Sequence, residues 1–243
     1  GDAVAAVTGC DFTDNSAVEQ GGGMLAWGSA RVEATSFSSN SANWGGGVAS
    51  TSGGDLEISR SSFVDNSATV FGGAVVLGGG SPLSVVSSTF FGNSADVGGA
   101  VEAESAGAVS LLHCTVAHNM ATSSGGAISG AAGLTIANSI LWDNGASVIA
   151  DSGAQSLAVS YSDIEGGHAG DGNIDADPLF VDLEGGDLHL GAGSPCIDQA
   201  DGSLAPSTDL EGNERVDDPA APNGAGCAGA CADLGAFEYQ PPS

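Results

Sequence analysis

The chain of 243 residues carries 30 acidic and only 3 basic side chains, for a formal net charge of −27. That field excludes nucleic acid and anionic membrane surfaces as partners, because phosphates demand a basic face, while it favours solubility and attracts divalent cations. Forty glycines and few long apolar side chains suit closely stacked backbone rather than a bulky globular core, and no stretch approaches the ~20 apolar residues of a membrane span.

Residues 1–20 lack the basic start and long apolar run of a secretory leader. The chain opens on Gly-Asp-Ala-Val and reads as a mature or excised piece of a longer precursor. From Phe12 onward one unit recurs: Phe-x-x-Asn, then Ser-Ala, a glycine pair and a short apolar run. Phe12/Asn15, Phe37/Asn40, Phe63/Asn66 and Phe90/Asn93 are full copies, and Val116/Asn119 and Leu141/Asn144 are looser ones. The asparagines lie 25, 26, 27, 26 and 25 residues apart. A period in this range marks a solenoid, in which each unit buries its apolar face only against its neighbours.

Aligned on the asparagines, each unit holds three strand candidates. One follows the glycine pair, as in Met24-Leu25-Ala26 and Ala74-Val75-Val76. One alternates with period two, as in Leu56/Ile58, Leu83/Val85 and Val109/Leu111, which puts one set of side chains inside. The third is the Ser-x-Phe segment. Three strands per turn of about 26 residues predict an all-β, right-handed parallel β-helix of about seven coils over residues 1–176, with an irregular C-terminal cap over 177–243. Coils ~4.8 Å apart turn equivalent residues into columns. Phe12, Phe37, Phe63 and Phe90 fill the core. Asn15, Asn40, Asn66, Asn93, Asn119 and Asn144 form an internal amide ladder, since a buried amide without a partner is costly. The glycine pair sits at a sharp turn with positive φ.

Val7 matches the alternating column, so the first coil lacks its glycine-flanked strand. The stretch Ala3, Val4, Ala5, Ala6 and Val7 then reads as an open strand edge through which identical subunits associate head to tail, with divalent cations offsetting their like charge.

Cys10 and Cys114 share one column with Thr35, Ser61, Ser88, Ser139 and Ser162. Four coils separate them, roughly 19 Å at the β spacing, so they cannot bridge, and both read as small buried fillers unless Cys10 meets another subunit. Cys227 and Cys231 lie close enough to pair, with Cys196 as a competing partner. Asp171, Asn173, Asp175 and Asp177 place four oxygen side chains at alternating positions, a spacing that suits Ca²⁺ without being an EF-hand. The four histidines are scattered, which argues against zinc.

The residue pattern resembles polymorphic outer-membrane proteins and related right-handed β-helix surface proteins. Phe63-Val64-Asp65-Asn66-Ser67-Ala68 with Gly72-Gly73-Ala74-Val75, and Val116 to Asn119 with Gly125-Gly126-Ala127-Ile128, carry the likeness. Farther on, Asp177-Pro178-Leu179-Phe180, Gly193-Ser194-Pro195-Cys196-Ile197-Asp198, Asp209-Leu210-Glu211-Gly212-Asn213 and Asp233-Leu234-Gly235-Ala236-Phe237-Glu238 resemble the closing segment of bacterial secreted β-helix proteins that carry a C-terminal anchor. The resemblance implies a secreted or cell-surface bacterial protein with a structural or adhesive role.

The rival expectation is a polysaccharide-binding or polysaccharide-cleaving β-helix protein. The chain has no lysine to act as a lyase base. Asp14, Asp65 and Asp143 share a column beside the ladder and read as a solvated turn, while Glu102 and Glu104 lie near one glycine-flanked strand. No residue stands out as catalytic, and the chain is expected not to be an enzyme. Trp27, Trp44 and Trp142, one each in separate coils, are the candidates for a sugar platform, with loop packing the favoured reading.

Overall fold

A computed structural model describes residues 4–103, 107–130, 132–145, 147–150, 156–227 and 231–241. Two stretches of parallel strands run the length of a solenoid. The alternating sheet stacks Ala5–Thr8, Ala30–Glu33, Leu56–Ser59, Leu83–Val86, Ala108–Leu112, Gly133–Ala137 and Leu157–Ser160 in sequence order. The aromatic sheet stacks Asp11–Thr13, Ser36–Ser38, Ser62–Val64, Thr89–Phe91, Thr115–Ala117, Ile140–Trp142 and Asp163–Ile164. A third sheet, of six strands from Met24–Ala26 to Ile149–Ala150, follows the glycine pairs. The structure adds a fourth strand after the ladder asparagine, in Ser41–Trp44, Ser67–Phe71, Ser94–Val97 and Met120–Ser124. Apolar periodicity gave no sign of these four, because their residues are mostly small or polar and only Ala42, Ala68 and Ala95 are buried.

Every coil sits in register with the next. Val7, Val32, Ile58, Val85, Leu111, Ile136 and Val159 pair in one column. Phe12, Phe37, Phe63 and Phe90 pair in another, their rings 4.8–4.9 Å apart and parallel within 4°. Val116, Leu141 and Ile164 continue that column with aliphatic side chains.

Corners are made by single residues in the left-handed region. Ala34, Arg60, Ser87, His113, Asn138 and Tyr161, with φ between 45° and 52°, turn the chain from the alternating to the aromatic sheet. Asp14, Ser39, Asp65, His118 and Asp143, with φ of 54° to 58°, turn it just before each ladder asparagine, and Gly92 does so in the fourth coil. The glycine pair divides two demands. Gly72 takes φ 63°, whereas a Cβ on Gly73 would collide with the carbonyl of Gly99 in the next coil.

Two side-chain ladders knit these corners. The amides of Asn15, Asn40, Asn66, Asn93 and Asn119 each donate to the Oδ1 of the next asparagine, from Asn15 to Asn40 (2.9 Å) through Asn119 to Asn144 (2.8 Å), and those from Asn40 to Asn144 also donate to a carbonyl of the preceding coil. That same Oδ1 also accepts the backbone N–H of the preceding asparagine. The second ladder runs through the column of small polar residues. Thr35, Ser61 and Ser139 donate N–H to the hydroxyls of Ser61, Ser88 and Ser162, and each hydroxyl donates to the carbonyl two residues before it. The column is therefore a hydrogen-bonding device, and Cys114 sits in it buried while Cys10 is exposed at the first coil.

The solenoid ends differently from expectation. Residues 171–174, inside the repeat region as drawn from sequence, close its C-terminal end. Tyr161 N–H donates to the Asp171 carbonyl, Ile164 to Ile174, and Ser162 to the Asn173 side chain. The described residues of the following segment, 177–227 and 231–241, do not lie over that end as a cap. They turn back along the outer face of the aromatic sheet, where Gly235 N–H reaches the Asn138 carbonyl and Ala236 N–H reaches Thr115 Oγ1. A second apolar core forms there, from Ile140 with Leu190, Cys196, Ile197, Ala200, Ala232 and Leu234. The segment also holds an antiparallel hairpin of Phe180–Asp182 with Asp187–Leu190.

Replacing Asn66 by Ala removes the acceptor of the Asn40 backbone N–H and of one Asn40 amide hydrogen, and the side-chain donor to the Phe37 carbonyl, while Asn93 Oδ1 keeps the backbone N–H of residue 66. At about 1–3 kcal/mol per buried group left without a partner, the expected loss is at least about 3 kcal/mol in urea denaturation. Asn15→Ala at the exposed end of the ladder is expected to cost under about 1 kcal/mol. Equal losses at the two positions would show that the ladder does not carry this stability.

Candidate functional site

The columns absorb most residues that looked like chemistry. Asp14, Asp65 and Asp143 lie at the left-handed corner; the first two are exposed and Asp143 is partly buried. Asp143 pairs with His118 across one coil at 2.6 Å. Arg31 pairs with Glu57 and Arg60 with Glu33, so both basic residues of the coils are held by acids on neighbouring coils. Arg215 is buried against Glu238 at 2.7 Å. Glu104 and Ala3 lie outside the described residues.

The four oxygen ligands proposed from spacing are not brought to one point. Asn173 turns inward and ends the small-polar ladder, accepting from Ser162 N–H and donating to the Val159 carbonyl. Asp175 accepts from Gly166 N–H and Asp177 from Leu179 N–H. Alternation along an extended strand would have aligned these side chains, but the segment is a hook whose polar groups serve its own backbone.

Of the three tryptophans, Trp142 is half-buried in the second core, and Trp27 is 77% exposed on the first coil. Trp44 does more than pack a loop. It is 42% exposed and ends its strand opposite Phe71, with ring centres 6.1 Å apart and planes tilted by 53°. These two rings form one wall of a groove of about 280 Å³. Gln20 extends that wall by bridging to Trp44. Val76, Leu77, Thr51 and buried Glu102 line the rest. The groove arises at the glycine corner, where the fourth strand meets the outward column Ala49, Val76, Glu102 of the next sheet. Phe71 and Gln20 went unnoticed in the sequence because the fourth strand did. The signal was there: an aromatic immediately before the glycine corner in two successive coils.

The flank segment carries a different arrangement. Asp198, Asp209, Asp218, Asp233 and Glu238 are all buried. Their oxygens accept backbone N–H groups in place of strand partners. Asp209 takes Glu211, Asn213 and Glu238; Asp233 takes Asp198 and Tyr239; Glu238 takes Val216 and Asp233. Burial, then the charge of Glu238, raises the Asp233 carboxyl to about 8, and burial raises Asp198 and Asp163 to about 6. His113, buried beneath this segment and beside the Arg215 charge, is lowered to about 3 and stays neutral. Cys227 and Cys231 form the disulfide expected from their spacing. Cys196, its possible competitor, is instead buried against Asp163.

A protein-family model described as the right handed beta helix region matches residues 1–165. No curated protein and no solved structure matches the chain.

The buried acids give the flank segment a pH dependence of definite sign. Asp233 holds its proton to higher pH in the folded state than in the unfolded chain, so its contribution falls as pH rises from about 4 to about 8. His189 is partly desolvated, but its hydrogen bonds to Asp187 and Glu211 outweigh this and raise it, so its contribution is also lost as pH rises above 6.5. His113 acts oppositely, but only between about 3 and 6.5. Limited proteolysis of residues 177–241 is therefore expected to accelerate from pH 6.5 to pH 8.5, with Asp233→Asn flattening the change. A rate that is constant or slows over that interval would contradict the assignment.

Proposed function

Because the chain belongs to the right-handed β-helix family, we propose that it is a non-catalytic extracellular or cell-surface rod with a structural and adhesive role. The family hosts enzymes and non-enzymes alike, so the argument rests on the residues. The observation that carries it is the use made of the recurring polar columns. Asparagine, serine and threonine are consumed in bonds between coils, and the basic residues of the coils are held in ion pairs. Such a stack resists bending and leaves its exposed side chains for contact. The likeness of the Phe-x-x-Asn repeats and the closing segment to bacterial surface proteins supports the same setting. Among the described residues, no helix is long and apolar enough to cross a membrane.

Carbohydrate is the adhesive partner that the Trp44 groove favours. A tilted pair of rings offers faces to the C–H side of a sugar, and Gln20 and Thr51 offer hydrogen bonds to its hydroxyls. The net charge repels polyuronates, so a neutral glycan is the expected class. A cleaving enzyme is the competing reading for this groove. Association of identical subunits through Val4, Ala5, Ala6 and Val7 is a further part of the proposal, since among the described residues the strand Ala5–Thr8 pairs with Ala30–Glu33 alone and is mostly exposed.

On a glycan array followed by titration calorimetry, the wild type is expected to retain neutral polysaccharides, and Trp44→Ala to weaken binding about 10-fold or more, equivalent to ~1.4 kcal/mol. Release of reducing sugar would replace the adhesive reading by the enzymatic one. Light scattering behind size exclusion is expected to show concentration-dependent growth with Ca²⁺, and a strict monomer with and without the ion would end the self-association proposal.

A further inference from the structure

The loop that carries the disulfide holds more than a crosslink. Donor atoms of Asp198, Asp217, Cys227 and Cys231 all lie within 4.8 Å of one another. Asp198 is fully buried, and its Oδ2 accepts the N–H of Asp218 while its Oδ1 has no hydrogen-bond partner among the described residues. Every other buried carboxylate of the flank segment has all of its oxygens clear of that condition. The loop is pinned over Asp198 by Gly224 N–H, which donates to the Asp198 carbonyl, and by Asn223. The Asn223 amide lies 2.8 Å from Asp217 Oδ1 and 3.0 Å from each of the two sulfurs. A buried carboxylate oxygen without a donor is costly unless a proton or a cation meets it.

We propose that reduction of the Cys227–Cys231 bridge converts this cluster into a four-ligand Zn²⁺ site, with two thiolates and the carboxylates of Asp198 and Asp217 as ligands. Thiolate and carboxylate donors in a set of four suit this cation, which accepts tetrahedral mixed S/O coordination. Asn223 supplies the outer hydrogen bonds that hold ligands in place. The redox step requires a dithiol reductant. The protein S–S bond breaks, the reductant's two sulfurs join, and two electrons with two protons pass to Cys227 and Cys231. Zn²⁺ then displaces both thiol protons to solvent. By linkage, the bound cation holds the pair reduced, so the loop alternates between a crosslinked form and a metal-bound form.

The test uses the full chain with Cys10→Ser, which removes the exposed thiol. Cys114 and Cys196 are buried, and burial raises both thiols well above their ordinary range, so they do not compete. Zn²⁺ alone is added to the oxidised and the dithiol-reduced protein, and metal is counted after gel filtration. One equivalent per chain is expected in the reduced protein and none in the oxidised protein. Co²⁺ in its place is expected to show thiolate charge-transfer bands and the visible bands of a tetrahedral ion. Asp198→Asn in the reduced protein is expected to weaken uptake by about 10-fold or more. Comparing two redox states of one sequence keeps the result independent of whether a variant folds. No uptake on reduction, equal uptake in both states, or undiminished uptake in a Cys227→Ser, Cys231→Ser variant would overturn the proposal, the last two marking adventitious binding to the acidic surface.

Discussion

The hydrogen bond from one asparagine amide to the next is the interaction on which the rest of the structure depends. It is repeated along one line from Asn15 to Asn144, and at every step the same Oδ1 accepts both a side-chain and a backbone N–H. Satisfying two donors with one oxygen tolerates little displacement, because hydrogen bonds weaken steeply with angle and length. The ladder thereby sets the coil spacing and the rotational register. The phenylalanine rings stack parallel at 4.8–4.9 Å because the asparagines three residues on hold them there. An apolar column by itself would not specify that alignment, since hydrophobic contact is non-directional.

The flank segment solves the same backbone problem with other chemistry. Among its described residues there is a single two-stranded hairpin, so most of their N–H groups find no sheet partner. Buried carboxylates take that role instead: Asp209, Asp233 and Glu238 each accept two or more backbone N–H groups, and Asp198 and Asp218 accept one each. Several acids in one apolar setting repel one another and lose hydration, which is why Asp233 and Asp198 are raised. Only Arg215 stands among them as a fixed positive charge, and it is spent on Glu238. An acid-rich hub of this kind is held together by protons as well as by hydrogen bonds, unlike the solenoid, whose ladders are uncharged.

How much of this was legible follows from that difference. The asparagine and phenylalanine columns, the glycine corners, the alternating strand and the Cys227–Cys231 pair could be read because each rests on a local or strictly periodic residue choice. The fourth strand could not, since Ser41–Trp44 and its equivalents lack apolar alternation. The path of residues 177–241 was partly written in the outward positions of the aromatic sheet. They change from Asp11, Ser36 and Ser62 in the early coils to Phe91, Ile140 and Trp142 later, and the late ones are the surface that the segment covers. Reading that change required knowing which face points out. The Asp171–Asp177 series misled for the reverse reason: its alternation is real, but the backbone there is a hook, so Asn173 points inward and the acids do not converge. The Trp44–Phe71 groove depends on two coils meeting at a corner, a relation visible only once register is known.

In-register stacking also explains how a chain of net charge −27 tolerates columns. Identical residues in successive coils lie one strand spacing apart, and two like charges at that distance repel by roughly 1 to 4 kcal/mol, depending on exposure. The corner before the ladder reads Asp14, Ser39, Asp65, Gly92, His118, Asp143. No acid there follows an acid in the adjacent coil, and the one acid with a titratable neighbour has a histidine at 2.6 Å. On the alternating sheet, Arg31 meets Glu57 and is followed by Ser84 and Ser110. The acids of that corner column are thus at least two coils apart, a separation of roughly 10 Å or more, about the reach of an unscreened charge in physiological salt. The excess of negative charge is instead placed in loops and in the flank segment, where no translation repeats it. A helix built by stacking can be strongly acidic only if its acids do not obey its period.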